Sequence, residues 1–185
     1  MQVALVERAR AGDEEAFASL ARGAADRLLA IAFRILRDLG HAEDAVQQTL
    51  VLAWRELPGL RDAERFDAWL HRLLVNACYR EARRGRRWAA IVRVLPADEP
   101  EPTDDFVSVV ERDQLERGFR RLPTEQRAVF VFHHHLGLTL AEIADQLGIP
   151  VGTVKSRLHY ATNTLRAALE ADLRSSTDTS RERLA

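Results

Sequence analysis

The sequence predicts an all-α protein of two small helical domains joined by an acidic, proline-rich linker, the C-terminal one containing a helix-turn-helix. Three observations predict it. Apolar residues recur at helical spacing along both halves of the 185 residues, and no alternating β-branched run supports a strand. The stretch PADEPEPTDD, with Pro96, Pro100 and Pro102 in seven positions, breaks that pattern, because proline removes a backbone donor and restrains the residue before it. Charge follows the same division. Residues 1–88 hold fifteen arginines against thirteen acids, 89–113 two against seven, and 114–170 seven basic residues against five acids. A formal net charge of −1 therefore hides two mildly basic blocks around an acidic one. Fields reach only about 8 Å in physiological salt, so this distribution matters more than the total.

These shifts give a first domain over 1–88, a flexible linker over 89–113, a second domain over 114–173 and a disordered polar tail over 174–185. No apolar run approaches the roughly 18 to 20 residues of a membrane span, so no membrane insertion is expected. The opening MQVALVERARAGDEEAF offers no secretory apolar core. Cys78, the single cysteine, can form neither an internal disulfide nor a multi-thiolate site. The expected setting is cytoplasmic.

In order, a short helix is expected near residues 2–11, then a longer one from about Asp13 to Arg37, with Asp13 as N-cap and Gly40 as a stop. A third runs from His41 or Ala42 to Leu57, ended by Pro58-Gly59, and a fourth from about Arg65 to Arg84, stopped at Gly85. The second block gives a helix from about Phe106 to Arg121, one from Thr124 to His135 with Pro123 at its start and Gly137 as its break, and one from Thr139 to Leu147. After the turn Gly148-Ile149-Pro150-Val151-Gly152, the last helix runs from Thr153 to about Leu173.

That final pair has the anatomy of a helix-turn-helix. Ile143, Ala144 and Leu147 form an apolar face, Gly148 tolerates positive φ, Pro150 blocks a continuous helix and Thr153 is an N-cap candidate. At about 100° per residue, Val154, Leu158, Ala161, Leu165, Ala168 and Leu169 share one face, and Lys155, Ser156, His159, Asn163 and Arg166 share another. A polar, cationic N-terminal half suits entry into a DNA major groove. An ordinary amphipathic hairpin has the same periodicity.

The fourth helix separates Phe66, Leu70, Leu73, Leu74 and Ala77 from Arg65, Trp69, Arg72, Asn76, Tyr79, Arg80 and Arg83. Cations interleaved with aromatics suit a strand held by its phosphates while bases stack; a solvated arginine face with Trp69 half buried is the bland alternative. The third helix carries Val46, Leu50, Ala53 and Leu57 on its core arc, yet Val51 and Trp54 stand in its polar arc with Glu43, Asp44, Gln47, Gln48 and Arg55. Apolar groups in a polar stripe point either to a protein contact surface or to a wide core. His133, His134 and His135 are consecutive, so their side chains diverge by about 100° and cannot converge on one ion. No metal, cofactor motif or catalytic constellation is indicated, and Cys78 reads as a small buried hydrophobe.

Taken together, AEDAVQQTLVLAW, RFDAWLHRLLVNACYREARRGRR, LPTEQRAVFVF and LTLAEIADQLGIPVGTVKSRLHYATNTLRAAL, in that order across about residues 5–170, resemble bacterial sigma factors of the extracytoplasmic-function (ECF) type, in the sigma-70 family. The resemblance implies a non-enzymatic promoter-recognition subunit that binds core RNA polymerase and promoter DNA and is held in check by an anti-sigma factor. It implies that Asp44, Gln47, Gln48, Val51 and Trp54 meet the polymerase clamp. It assigns the minus-ten element to the loop Leu60 to Arg65, with Arg61, and to Trp69, Asn76, Arg80, Arg83 and Arg84. It assigns the minus-thirty-five element to Thr153, Lys155, Ser156, Arg157, His159 and Tyr160, with Arg157 on the phosphates and His133 near the DNA. The acidic linker would lie in the RNA-exit channel. A stand-alone helix-turn-helix regulator, and a protein whose helices bind only other proteins, are the alternatives.

Overall fold

The computed structural model describes residues 2–92 and 117–182. Among the described residues there is no strand, and no helix is long and apolar enough to cross a membrane. The first block is built from α1 (Gln2–Arg10), α2 (Glu14–Leu36), α3 (Leu39–Glu56) and α4 (Phe66–Val92), with 3-10 turns Leu57–Gly59 and Ala63–Arg65 between the last two. Asp13 caps α2 as expected: it accepts from the Ala16 amide at 2.9 Å and pairs with Arg8 at 2.7 Å. Those two partners, the amide foremost, hold its carboxyl below the usual range. Along α2, Leu20, Ala24, Leu28, Ile31 and Ile35 form a buried spine at intervals of three and four.

Arg37 ends α2 in the left-handed conformation (φ 60°), its amide donating to the Phe33 carbonyl at 2.8 Å. A residue with a Cβ pays about 1 kcal/mol or more for that conformation. Its guanidinium lies over the rings of Phe33 and Phe119, at 5.4 and 5.6 Å from their centroids, which offsets the cost and links the two blocks.

Neither glycine stop signal in this block acts as one. Gly40 is the second residue of α3, because Asp38 starts that helix by accepting from the His41 amide at 2.8 Å. Alanine at Asp38 is expected to destabilise the chain by about 1 kcal/mol, read as a lower denaturant midpoint. Gly85 lies inside α4, which continues to Val92, four residues into the stretch assigned to the linker from 89. One helical glycine costs only about 1 kcal/mol relative to alanine, too little to end a helix packed along α3.

In the second block, α5 is helical over 117–121 and is followed by α6 (Thr124–His134), α7 (Leu140–Leu147) and α8 (Val151–Glu182). Most of the helix expected from Phe106, and the linker beyond Val92, lie outside the described residues. Thr139 and Glu142 close a capping box on α7: the Thr139 amide donates to Glu142 at 2.8 Å and the Glu142 amide to the Thr139 hydroxyl at 3.3 Å. Gly148 takes φ +65°, as the turn requires. Thr153 is not the N-cap of α8. The helix begins at Val151, and the Pro150 carbonyl accepts from the Thr153 and Val154 amides at 2.9 and 3.2 Å. Nor does α8 stop near Leu173; the tail expected to be disordered is helical to Glu182, since no glycine or proline interrupts it.

The two blocks are docked. Ala128, Val129, Val131 and Phe132 of α6 and Ile143 and Ala144 of α7 belong to the same buried apolar cluster as Leu28, Ile35 and Leu74. Leu122, Ala161 and Leu165, with Phe119 and Phe130, form a second, smaller cluster. Cys78 is buried, and its thiol is pushed up to about 12 by loss of solvent.

Candidate nucleic-acid interface

Burial of Leu70, Leu74 and Ala77 turns the opposite face of α4 outward. There Trp69, Arg72, Asn76 and Arg80, spaced by three and four, line a groove with Leu52, Glu56 and Leu73. Trp69 is half-buried, its ring 5.9 Å from that of Phe66. Asp62 accepts from the Glu64 amide at 2.9 Å, fixing the turn that carries Arg61 and Arg65 beside this groove. Arg61 and Arg65 therefore flank one end of this surface and Asn76 and Arg80 the other, with Trp69 and Arg72 common to both. Arg83 is exposed further along α4. Two residues of the expected set differ. Leu60 packs largely into the core at 9 % exposure, its remaining edge lining the cavity beside Arg61 and Trp69. Arg84 turns toward α3, 4.0 Å from Asp44 and 3.8 Å from Glu81, drawn by their carboxylates. Arg72 lines the groove as well, though the sequence marked it only as part of a cationic face.

On α3, Asp44 and Gln47 are exposed, together with Val51 (51 %) and Trp54 (36 %). These two are exposed apolar groups in a polar stripe, with Trp54 resting on Phe17 at 5.0 Å between centroids. Gln48 is different: it is half-buried and donates to Glu81 of α4.

On α8, Lys155, Ser156, His159 and Tyr160 are exposed, while Val154, Ala161 and Leu165 are buried, as the angular count predicts. Ser156 donates to the Thr153 carbonyl at 3.0 Å, and His159 bonds Asn163 at 2.9 Å. Thr153 and Arg157 are half-buried. Arg157 faces the first block beside Tyr79, whose phenol burial pushes up to about 12 against the pull of that guanidinium. In this arrangement Arg157 is not on the exposed face expected to meet phosphates. His133 Nδ1 sits 2.9 Å from the Leu138 carbonyl, and His134 lies on Phe130 with centroids 4.3 Å apart.

A seam joins these surfaces. Arg65 pairs with Asp145 of α7, and Asp145 and Gln146 help wall the cavity beside Arg61, Trp69 and Arg72. Arg127 donates to the Leu36 carbonyl at 3.4 Å. His71, 8 % exposed, lies with its ring 5.9 Å from that of Phe132. Burial, with a smaller contribution from Arg27, holds its pKa below the ordinary value; Asp67 and a hydrogen bond with Gln146 act in the opposite sense.

A cationic, aromatic-lined groove on one helical unit and an exposed helix-turn-helix on the other define a two-part DNA-binding protein. Sequence comparison gives the same division: Sigma-70 region 2 matches residues 20–88 and Sigma-70, region 4, residues 112–165. The ECF RNA polymerase sigma factor SigL of Mycobacterium tuberculosis H37Rv is 34% identical over 166 residues, spanning 86% of this chain and 94% of SigL. CnrH, solved in complex with the cytosolic domain of CnrY, is 28% identical with a TM-score of 0.63, spanning 92% of this chain and 98% of CnrH. The fold is also that of RpoE from Bartonella quintana, solved with the anti-sigma factor NepR (24% identity, TM-score 0.65, 84% of this chain and 98% of RpoE). The chain belongs to the ECF RNA polymerase sigma factors.

Proposed function

We propose that this chain binds core RNA polymerase in the cytoplasm and directs promoter-specific initiation, supplying recognition and strand opening while the polymerase carries out the chemistry. The groove holding Trp69, Asn76 and Arg80 carries this reading. An aromatic face, an amide and a cation on one wall can stack a base, bond its edge and hold its phosphate, the needs of a displaced single strand. Arg61, Arg65 and Arg83 extend that charge. Lys155, Ser156, His159 and Tyr160 read the upstream duplex, and Asp44, Gln47, Val51 and Trp54 meet the polymerase. The first domain thus serves the minus-ten element and the second the minus-thirty-five element. An anti-sigma factor is the proposed inhibitor; RpoE, which shares this fold, was solved with the anti-sigma factor NepR.

The docked arrangement has to separate for this work. The two elements lie about 25 base pairs apart, roughly 85 Å at 34 Å per ten pairs, whereas Arg65 and Asp145 are directly paired. Arg65 cannot hold a phosphate while paired to Asp145, and Arg157 reaches DNA only after leaving Tyr79.

Mixing the purified chain with core polymerase and promoter fragments tests the proposal: transcripts from defined start sites are expected, and their absence with intact assembly overturns it. Alanine at Asp44 and Gln47 together is expected to weaken assembly at least about fivefold, the equivalent of about 1 kcal/mol, while the duplex affinity of α8 stays unchanged. Unaltered assembly in a pull-down titration would move the polymerase surface elsewhere.

A further inference from the structure

We propose that His41, Asp44 and Glu81 form a binding site for one divalent transition-metal ion, with Zn2+ as the reference ion. His41 and Asp44 stand three apart on α3 and project from one face; Glu81 meets them from α4. One nitrogen or oxygen donor from each residue lies within 4.8 Å of the other two. His41 Nδ1 is 3.6 Å from Glu81 Oε2. Tetrahedral zinc with bonds of about 2.0 to 2.1 Å places its donors about 3.3 to 3.5 Å apart, so this pair is already near the required spacing. Exposed Asp44 completes the set by a side-chain rotation.

A second observation points to a cation. Glu81 is only 2 % exposed, and its two oxygens are unequal: Oε1 accepts from Gln48, whereas Oε2, aimed at His41, has no hydrogen-bond partner. A buried carboxylate oxygen left without a donor is costly. Arg84 approaches no closer than 3.8 Å to Oε2 and 4.0 Å to Asp44, and its side chain is 72 % exposed. It is a loose counter-charge at the rim that a dication would displace into solvent. Gly85 makes room for the imidazole: a Cβ there would stand 3.2 Å from His41 Nε2. Gln48 orients Glu81 as an outer partner orients a ligand. One imidazole and two carboxylates, with a position left for water, suit zinc or a neighbouring transition ion. Calcium, which takes six to eight oxygens, fits them poorly.

On the function proposed above, the ion and the polymerase draw on the same Asp44 carboxylate, so Zn2+ would weaken assembly. The site itself does not depend on that reading.

Calorimetric titration of the full, tag-free chain with Zn2+ is expected to give one ion per chain. His41→Ala and Asp44→Asn are each expected to weaken it at least tenfold, no less than the loss of an outer-shell partner costs. Glu81→Gln, nearly isosteric, tests the buried donor, with circular dichroism as the folding control; the variants at half-buried His41 and exposed Asp44 decide the matter if it does not fold. A chain with alanine at His133, His134 and His135 is expected to bind Zn2+ as before. No binding, binding undiminished in His41→Ala, or binding abolished in the triple variant overturns the site. Assembly with core polymerase is expected to weaken on adding Zn2+, and to be indifferent to it in His41→Ala. Zn2+ binding without that effect overturns the coupling alone. Absence of assembly in metal-free buffer counts instead against the polymerase reading.

Discussion

Alanine at Lys155 and Ser156 together is expected to cost about 1 to 3 kcal/mol for each base of the upstream element that the pair no longer bonds, with polymerase assembly unchanged. Both residues are exposed on the first turns of α8, on the face opposite buried Val154 and Ala161. A recognition helix presents its N-terminal half to base edges, so these positions carry more discrimination than Arg166 further along. Lys155 can donate to guanine acceptors or hold a phosphate. Ser156 now gives its proton to the Thr153 carbonyl and must rotate that hydroxyl to reach a base. Transcription from promoters varied one base pair at a time separates these roles. Removing a bond to a base edge relaxes the preference at one position, whereas removing a phosphate partner weakens all sequences alike and lowers the salt dependence. A matching drop in polymerase binding would place this face on the enzyme rather than on DNA.

Much of the architecture was legible because it rests on periodicity. The buried sets Phe66-Leu70-Leu74-Ala77 and Val154-Ala161-Leu165 follow from 3.6 residues per turn, and Gly148 and Asp13 act as their chemistry predicts. Boundaries failed where one local signal was given too much weight. Gly40 and Gly85 sit inside helices because an upstream cap and packing outweigh the cost of one glycine. The groove was legible as a helical face, since Trp69, Asn76 and Arg80 are near in sequence. What no periodicity can report is which faces meet. Arg84 turning to Asp44, Arg157 to Tyr79 and Arg65 to Asp145 all depend on how different helices pack. The grouping of His41 and Asp44 with Glu81 is of this kind: its spacing on α3 was visible, but its third member lies 37 positions beyond Asp44 in the chain.

His71→Lys is expected to separate the two blocks at neutral pH without unfolding the first. His71 is nearly buried, faces Phe132 across the seam and has the Arg27 charge near it. An ammonium placed there loses its water, and the nearby Asp67 carboxylate is already paired with Arg27 at 2.6 Å, so the penalty is about 3 kcal/mol or more for a buried ion. Undocking relieves it by re-exposing the side chain. The Arg65–Asp145 pair opposes this only weakly, since both side chains are more than half exposed. Acid is expected to act on the native histidine in the same direction. Its docked pKa lies below the ordinary value of 6.5, so docking disfavours the protonated form. The docked state therefore keeps its full stability above about pH 6.5 and loses it as the pH falls from there toward the lowered value. His135, also lowered chiefly by loss of solvent and then by Arg34 of the first block, contributes with the same sign, so the comparison that isolates His71 is with His71→Gln, which stays neutral. Small-angle scattering is expected to show a larger radius for His71→Lys at pH 7.5, and for the native chain as the pH drops. His71→Gln should change less with acid, while the helical signal of all three persists. Equal radii at pH 7.5, or expansion only together with loss of helix, would mean that the seam is an inseparable part of the fold and that promoter engagement does not begin by opening it.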